Sequence, residues 1–465
     1  MKYDFVILGG GAAGFSAAVK AEEFGVKTLM VNQGPIGGTC VNVGCVPSKY
    51  LLTGLELRWR ALNHHYDGIE LREEEFSFKR LAEGKNRLVE RLRKEKYRDA
   101  IDSMDHVEYV EGKGVIRPDG RLKVNGDTIE IRKLLIATGA RARILPVKGI
   151  ESIKDRVLTN VEALSLKEKP ESIIIMGGRT QGLEFAQIFS RAGSEVTLLQ
   201  RSSRIMPKAE PELSESLRKI LSEEGIRIFT GVNLKKVEKA NNGIRVRSVI
   251  NNTEREFESE YILFATGRKP NTDGIGLEHT DVQLNDSGFI MTDKTMKASN
   301  KIYAAGDVTG EPMLETVAAK EGSIAAINAL TEKEILMDYS TVPKVVFTEP
   351  QLASVGMTDE EAIQKYTCAC KTVSFTSVPK ALITGDEKGL IKMVVDRDTW
   401  QILGIHILSG KAAEIIHEAT MIVKNKMTVD QVIDTVHVFP TMSEAIKLVA
   451  LSFRKDIGKL PCCAE

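Results

Sequence analysis

Short apolar runs alternate along this chain with glycine clusters and amphipathic stretches, the pattern of buried parallel strands joined by helices. Residues 5–8 form an apolar run that ends on glycines, followed by an Ala-rich helical stretch over 15–24 and a second apolar run over 26–31. The same succession returns at 172–176, 183–191 and 195–199. Further strand-like runs close on glycine at 134–139 and 261–267; one at 301–307 ends on an acid, ahead of an Ala-rich helix over 316–330. Between these, 107–131 alternates apolar and polar residues around Gly112, Gly114, Gly120 and Gly126, which predicts small antiparallel strands. Residues 70–105 are rich in Lys, Arg and Glu, so helices there are expected to be solvated and to present a charged outer face. From about Val342 the pattern changes. Strands at 345–347, 390–395 and 402–407 read as an antiparallel sheet, with helices over 412–424, 429–435 and 442–454.

Gly9-Gly10-Gly11-Ala12-Ala13-Gly14 is a Gly-x-Gly-x-x-Gly run set between a strand and a helix. Glycine there permits a tight turn (Gly9), backbone approach to a pyrophosphate (Gly11) and close packing of helix on sheet (Gly14). A second unit reads Gly177-Gly178-Arg179-Thr180-Gln181-Gly182, with Arg179 in place of the middle glycine. The interval from Gly9 to Asn32 equals that from Gly177 to Gln200, so the unit is repeated. Neither second strand ends in the acid that would hold a ribose. Asn32 can still hydrogen-bond one, and Gln200-Arg201-Ser202-Ser203-Arg204 offers two guanidinium groups, which suit the 2′-phosphate of NADPH. The predicted fold class is α/β, with two Rossmann-like dinucleotide-binding domains and an α+β C-terminal domain. That last domain carries no glycine fingerprint and suits oligomerisation.

The candidate chemistry lies in Gly37-Gly38-Thr39-Cys40-Val41-Asn42-Val43-Gly44-Cys45-Val46-Pro47-Ser48-Lys49. Cys40 and Cys45 sit in a Gly-rich turn, and Pro47 favours a helix starting beside Cys45. The positive end of that helix, with Lys49 one turn in, stabilises a thiolate. Two close cysteines, one of them a thiolate, suit reversible two-electron chemistry. A structural zinc half-site is the alternative, but no second Cys/His pair follows at ligand spacing. Cys368-Ala369-Cys370 puts two thiols on one face of a strand, either as an exposed pair or as an adventitious metal or disulfide site. The adjacent Cys462 and Cys463 near the end of the chain can hold a soft metal ion.

Charge narrows the partners. The 465 residues include 64 basic and 64 acidic ones, a balance that leaves no electrostatic footprint for nucleic acid or anionic lipid. No apolar run reaches the length of a membrane span, and Asp4 with the glycines after it spoils a signal peptide. A cytoplasmic protein with reduced cysteines is expected.

With the cysteine motif, the two dinucleotide units and the C-terminal domain, the whole chain resembles the FAD-dependent pyridine-nucleotide disulfide oxidoreductases, a glutathione-reductase-like fold. The resemblance implies an FAD-binding domain from 1–150 and 271–338, an NADPH-binding domain from 151–270 and a dimerisation domain from 339–465. It implies a homodimer whose active site is shared between subunits. Cys45 then corresponds to the thiolate touching the flavin, and Cys40 to the exchanging thiol. Lys49 and Glu184 correspond to the pair beside the flavin where hydride arrives. The implied cofactor-binding set is Gly9, Gly11, Gly14, Asn32, Gly38, Thr39, Lys49, Thr138, Gly139 and Asp307 for FAD, with Gly177, Gly182, Arg201, Arg204 and Gly267 along the nucleotide path.

Two departures set the expected substrate. Disulfide-reducing members carry a His-Pro…Glu run whose His shuttles the thiol proton, whereas this chain reads His437-Val438-Phe439-Pro440-Thr441-Met442-Ser443-Glu444. Phe439 cannot titrate, and His437, two residues earlier, is expected to be structural. The Cys462-Cys463 tail and the Gly-Thr-Cys-Val-Asn-Val-Gly-Cys-Val-Pro motif resemble those of the mercuric reductases within this family. Thr180 stands where many members place an aromatic gate, and Thr441 where a tyrosine often follows Phe-Pro. Cys40 is the first cysteine, so no N-terminal Cys-x-x-Cys metal-trafficking domain is expected. The resemblance implies NADPH-dependent reduction of Hg(II) to Hg(0), a detoxifying reaction, with Hg(II)-thiol complexes delivered by Cys462 and Cys463 to Cys40 and Cys45. A dihydrolipoamide or glutathione-type disulfide reductase, or a non-catalytic soft-metal-binding flavoprotein, is the alternative.

Overall fold

A computed structural model of the protein describes residues 2–459, and the chain divides into two compact units. Cys462 and Cys463 lie outside the described residues.

The first unit comprises Met1–Tyr50, Ala82–Ile144 and Thr266–Asp338. It opens with β1 (Lys2–Leu8), α1 (Ala12–Glu23) and β2 (Thr28–Asn32). β1 runs parallel to β2 on one side and to the strand Asp127–Ile136 on the other. Val107–Glu111 extends the sheet beyond β2, and Ile302–Ala304 pairs in parallel with the end of Asp127–Ile136. Phe5, Val6 and Ile7 are fully buried, as expected of a central strand covered on both faces.

Two expectations need correction. Val107–Glu111 joins the parallel sheet instead of forming a small antiparallel one. Asp127–Ile136 is also one strand rather than a hairpin arm and a separate run. Its first residues alternate in exposure and pair antiparallel with Leu122–Val124, while Leu134, Leu135 and Ile136 are buried between β1 and Ile302–Ala304. The change in hydrophobic pattern therefore marks a change of neighbours within one strand.

The helix Glu315–Leu330 packs on α1 closely enough for backbone to meet backbone: a Cβ on Gly322 would lie 2.0 Å from the carbonyl oxygen of Ala13. That contact fixes the first turn of Glu315–Leu330 relative to the glycine turn ahead of α1.

The second unit comprises Leu51–Leu81, Leu145–Ala265 and Tyr339–Glu465. Its parallel sheet runs Arg227–Phe229, Glu195–Leu199, Ser172–Met176, Tyr261–Phe264, Val157–Leu158. The helix Thr180–Arg191 follows Ser172–Met176 as α1 follows β1. Asn233–Ala240, Gly243–Ile250 and Thr253–Ser259 form an antiparallel sheet. A five-stranded antiparallel sheet is ordered Lys344–Val346, Gln351–Gly356, Ile402–Ser409, Leu390–Asp396, Cys368–Ser374. Helices Ala412–Lys424 and Glu444–Leu451 cover it, and Phe375, Ile391, Ile405, Ala419 and Val449 are fully buried in the shared core. No helix among the described residues is long and apolar enough to cross a membrane.

Candidate active site: a dithiol, a carboxylate and two glycine turns

The cysteine stretch is not a simple turn. Gly37 and Gly38 take positive φ (94° and 64°) and start α2 (Gly38–Val43), which carries Cys40. Gly44 separates it from α3 (Cys45–Leu62), so Cys45 is the first helical residue and Pro47 the third. Side chains are excluded at Gly44, where a Cβ would stand 2.8 Å from the Thr39 oxygen and 3.1 Å from Cys40 Cα. This tight junction folds Cys45 back over Cys40. Asn42 braces it, donating to the carbonyls of Ile36 at 2.9 Å and Gly38 at 2.8 Å while accepting from Arg93 Nε at 2.8 Å.

One sulfur of each cysteine and a carboxylate oxygen of Glu315 lie within 4.8 Å of one another. Cys45 is exposed, while Cys40 and Glu315 are half-buried. A hydrogen bond with Cys45, burial, and the neighbouring Glu315 carboxylate push the Cys40 thiol far above its ordinary range. Tyr97 faces the same group: burial, then Glu315, Cys40 and Cys45, raise its phenol to about 12. Its ring lies against Gly37, where a Cβ would sit 3.3 Å away, and stacks edge-on with Phe15 at 4.9 Å.

Neither Glu315 nor Tyr97 was singled out from the sequence. Tyr97 belongs to the segment expected to be only a charged outer face, and that expectation is too simple, since Lys85 in the same stretch is also buried. An aromatic residue within Lys94–Arg98 was the available signal. Glu315 had none, because only the packing of Glu315–Leu330 on α1 brings it here.

The two glycine turns repeat down to single hydrogen bonds. Asn32 Oδ1 accepts from Gly10 N–H at 2.9 Å, and Gln200 Oε1 accepts from Gly178 N–H at 2.8 Å. Asn32 also donates to the Gly34 carbonyl at 2.8 Å, so both ends of its amide serve the turn. A Cβ on Gly14 or Gly182 would lie 2.0 Å or 1.8 Å from the carbonyl oxygen of Gly9 or Gly177, which is the close approach of helix to strand that these glycines allow. Gly11 and Gly38 also meet backbone to backbone.

Both turns suit a dinucleotide. Among the described residues, the helices that follow have no side-chain cap at Gly11 or Arg179, whereas Thr159, Thr358 and Thr428 cap theirs with full capping boxes. Uncapped first-turn N–H groups in general suit phosphate oxygens.

Asp307 is paired with Arg268 at 3.2 Å, and burial raises its carboxyl despite that cation. Arg268 also donates to the Ala140 carbonyl and, at 3.4 Å, to Thr39 Oγ1, while its buried Nε makes no aligned hydrogen bond among the described residues. Thr138 and Asn271 exchange two hydrogen bonds, 2.9 and 2.8 Å, beside Gly139. Gly267 takes a positive φ of 102° with open space where a Cβ would be.

In the second unit Glu184 is buried and accepts from Phe347 N–H at 3.0 Å. Lys49 is half-buried on α3, in the first unit. Arg204 donates to the carbonyls of Pro207 at 2.8 Å and Ala209 at 3.4 Å, and Arg201 is exposed. The two guanidinium groups therefore differ: one is tied into its own loop and the other faces outward. His437 is engaged at both ring nitrogens, with Glu418 at 2.9 Å and the Thr435 carbonyl at 2.9 Å, in keeping with a structural histidine. Phe439 is 45% exposed, and Glu444 is buried with Oε2 lacking a hydrogen bond among the described residues.

Comparison with known proteins agrees with this architecture. The pyridine nucleotide-disulphide oxidoreductase model matches residues 3–322, and the dimerisation domain of the same family matches 342–450. A mercuric reductase of Staphylococcus aureus is 39% identical over 99% of this chain and 84% of its own length. A dihydrolipoyl dehydrogenase of Thermus scotoductus is 35% identical over 98% of each chain. Among solved structures, the Cu(II) complex of the HOCl-induced flavoprotein disulfide reductase RclA from Escherichia coli superposes with a TM-score of 0.87 at 27% identity, covering 98% of this chain and 100% of that one.

Proposed function

Because the chain belongs to the pyridine nucleotide-disulphide oxidoreductase family, whose members use FAD and a pyridine nucleotide and dimerise through the C-terminal domain, we propose that it is an NADPH-dependent mercury(II) reductase. The observation that carries the reading is the donor set at the dithiol: two sulfurs and a carboxylate oxygen within 4.8 Å. Soft thiolates select a soft cation, and the carboxylate adds negative charge that a disulfide substrate would not need. The mercuric reductase of Staphylococcus aureus matches nearly the whole chain, which agrees.

FAD, when bound, supplies the two-electron relay between nicotinamide and the dithiol. Gly9, Gly11, Gly14, Gly38, Thr39, Thr138, Gly139 and Asp307 would hold it, with Asn32 shaping the turn. Gly177, Gly182, Arg201 and Arg204 would hold NADPH, with Glu184 beside its nicotinamide, and Lys49 would stand beside the flavin. The chain's own residues prepare the metal site. Cys45, at the positive end of α3, is the ready thiolate. Cys40 gives up its proton as Hg(II) binds, by way of the Glu315 carboxylate to solvent, and the deprotonated carboxylate is then a third donor. Cys462 and Cys463 would deliver the ion from the partner subunit. Phe439 removes a titrating group that metal reduction does not require.

The test is NADPH oxidation with Hg(II) in excess thiol, set beside Cu(II), oxidised glutathione and lipoamide. Hg(II) should stimulate turnover well above the thiol-only blank, and equal rates would sink the assignment. Glu315→Gln should lower kcat/KM for Hg(II) about tenfold, within the roughly 10–100-fold cost of losing a group that supports a metal ligand, with flavin content unchanged.

Nucleotide choice has its own test. Arg201→Ala should raise KM for NADPH by about tenfold, the value of one charge-assisted hydrogen bond, and leave KM for NADH nearly unchanged. Equal effects on both would remove the case for NADPH.

A further inference from the structure

Two cysteines take no part in the reaction above. Cys368–Ser374 is an edge strand of the five-stranded antiparallel sheet, paired in regular register with Leu390–Asp396. Cys368 and Cys370 share one face of it and are half-buried rather than exposed. Cys368 Sγ lies 3.3 Å from Oδ1 of Asp359, and Cys370 Sγ lies 3.4 Å from Oδ2 of the same carboxylate. Ala362, Val394 and Leu403 form a buried apolar floor beneath the sulfurs. Lys392 Nζ stands 3.3 Å from Asp359, 2.8 Å from Glu210 and 3.1 Å from Glu212. One ammonium is thus shared among three carboxylates, and the ledge keeps an excess of negative charge.

We propose that Cys368 and Cys370, beside the Asp359 carboxylate, form a second, two-sulfur site for a thiophilic divalent cation, Hg(II) above all, which holds the ion without reducing it. Each S–H bond breaks as a sulfur–metal bond forms, so two protons leave per ion. Asp359, already the hydrogen-bond acceptor of both thiols, takes one proton at a time and passes it on, and both protons end in solvent. No electron moves, and the ion stays divalent. A disulfide is the poorer fate for this pair. Alternate residues of a strand have Cα atoms about 6.4–6.8 Å apart, at the far end of what a disulfide spans, whereas a metal ion between the sulfurs lengthens the bridge. The site lies in a different unit from Cys40 and Cys45 and does not depend on the reduction proposed for them.

The experiment counts mercury. The full-length holoenzyme is mixed with mercuric chloride in the presence of a monothiol, desalted, and analysed for mercury per flavin. Cys368→Ser/Cys370→Ser should retain about one ion fewer per protomer than the unchanged chain, as expected for one chelating thiolate pair. Cys370→Ser alone should lose the same ion, because a lone thiol does not outcompete the added monothiol. Equal mercury counts in all three proteins overturn the proposal. Flavin content and Hg(II)-dependent NADPH oxidation should be unchanged in both variants, and the single variant keeps the test open should the double one fold poorly.

Discussion

Cys45→Ala is expected to abolish Hg(II)-dependent NADPH oxidation while leaving the flavoprotein intact. The residue is exposed at the first position of α3, so truncation opens no cavity. Stability should stay within about 0.5 kcal/mol, as for surface substitutions generally. Its sulfur is nevertheless one of two soft donors. Without it Hg(II) keeps Cys40 and the Glu315 oxygen, a set in which a single thiolate cannot chelate. The fall in kcat/KM should exceed about 100-fold, more than the roughly 10–100-fold cost of disturbing a group behind a metal ligand. Stopped-flow absorbance gives the control. NADPH should still bleach the flavin in the variant, since the glycine turns and Asp307 are untouched. Retained mercury turnover would show that the metal is reduced elsewhere.

The sequence made the repeated strand–glycine–helix units legible because three constraints act together there. Backbone approach excludes Cβ at Gly9, Gly14 and Gly182, burial demands apolar strands, and the repeat fixes the spacing. The same logic explains what was missed. Asp127–Ile136 looked like two elements because its neighbours change along its length, and hydrophobic pattern records neighbours rather than continuity. Cys40 looked like a turn residue because α2 is only six residues long, too short for a periodic signal. Glu315 and Tyr97 are far from the cysteines in the chain. They reach them only because Glu315–Leu330 packs on α1 through Gly322 and Ala13, and because Tyr97 lies across Gly37. A charged residue opening a helix looks like an ordinary first-turn acid; its second role is a property of tertiary contact alone.

Phe439→His should turn part of the activity toward disulfides. Reducing a disulfide ends with a thiolate leaving group that must be protonated, and a positioned general acid contributes about 10²–10⁴-fold to such a step. His437 does not supply it, because its ring nitrogens are bound to Glu418 and the Thr435 carbonyl. The Glu418 hydrogen bond, the largest influence on it, also raises its pKa. Glu444 is buried with one oxygen lacking a hydrogen bond among the described residues, and burial raises its pKa too. A histidine at 439 restores the titrating group to the His-Pro…Glu run in which Glu444 stands. Lipoamide or oxidised glutathione turnover should then rise by about 100-fold, the lower end of that range, since nothing else has been shaped for those substrates. The gained activity should titrate near the ordinary histidine value of about 6.5, while Hg(II) turnover changes by less than about threefold, because metal–thiolate exchange needs no proton from that position. His437→Ala should reproduce none of this. If Phe439→His keeps its flavin and still fails to reduce either disulfide, the missing proton carrier is not what separates this chain from its disulfide-reducing relatives. The carboxylate of Glu315 beside Cys40 would then be the group to remove next.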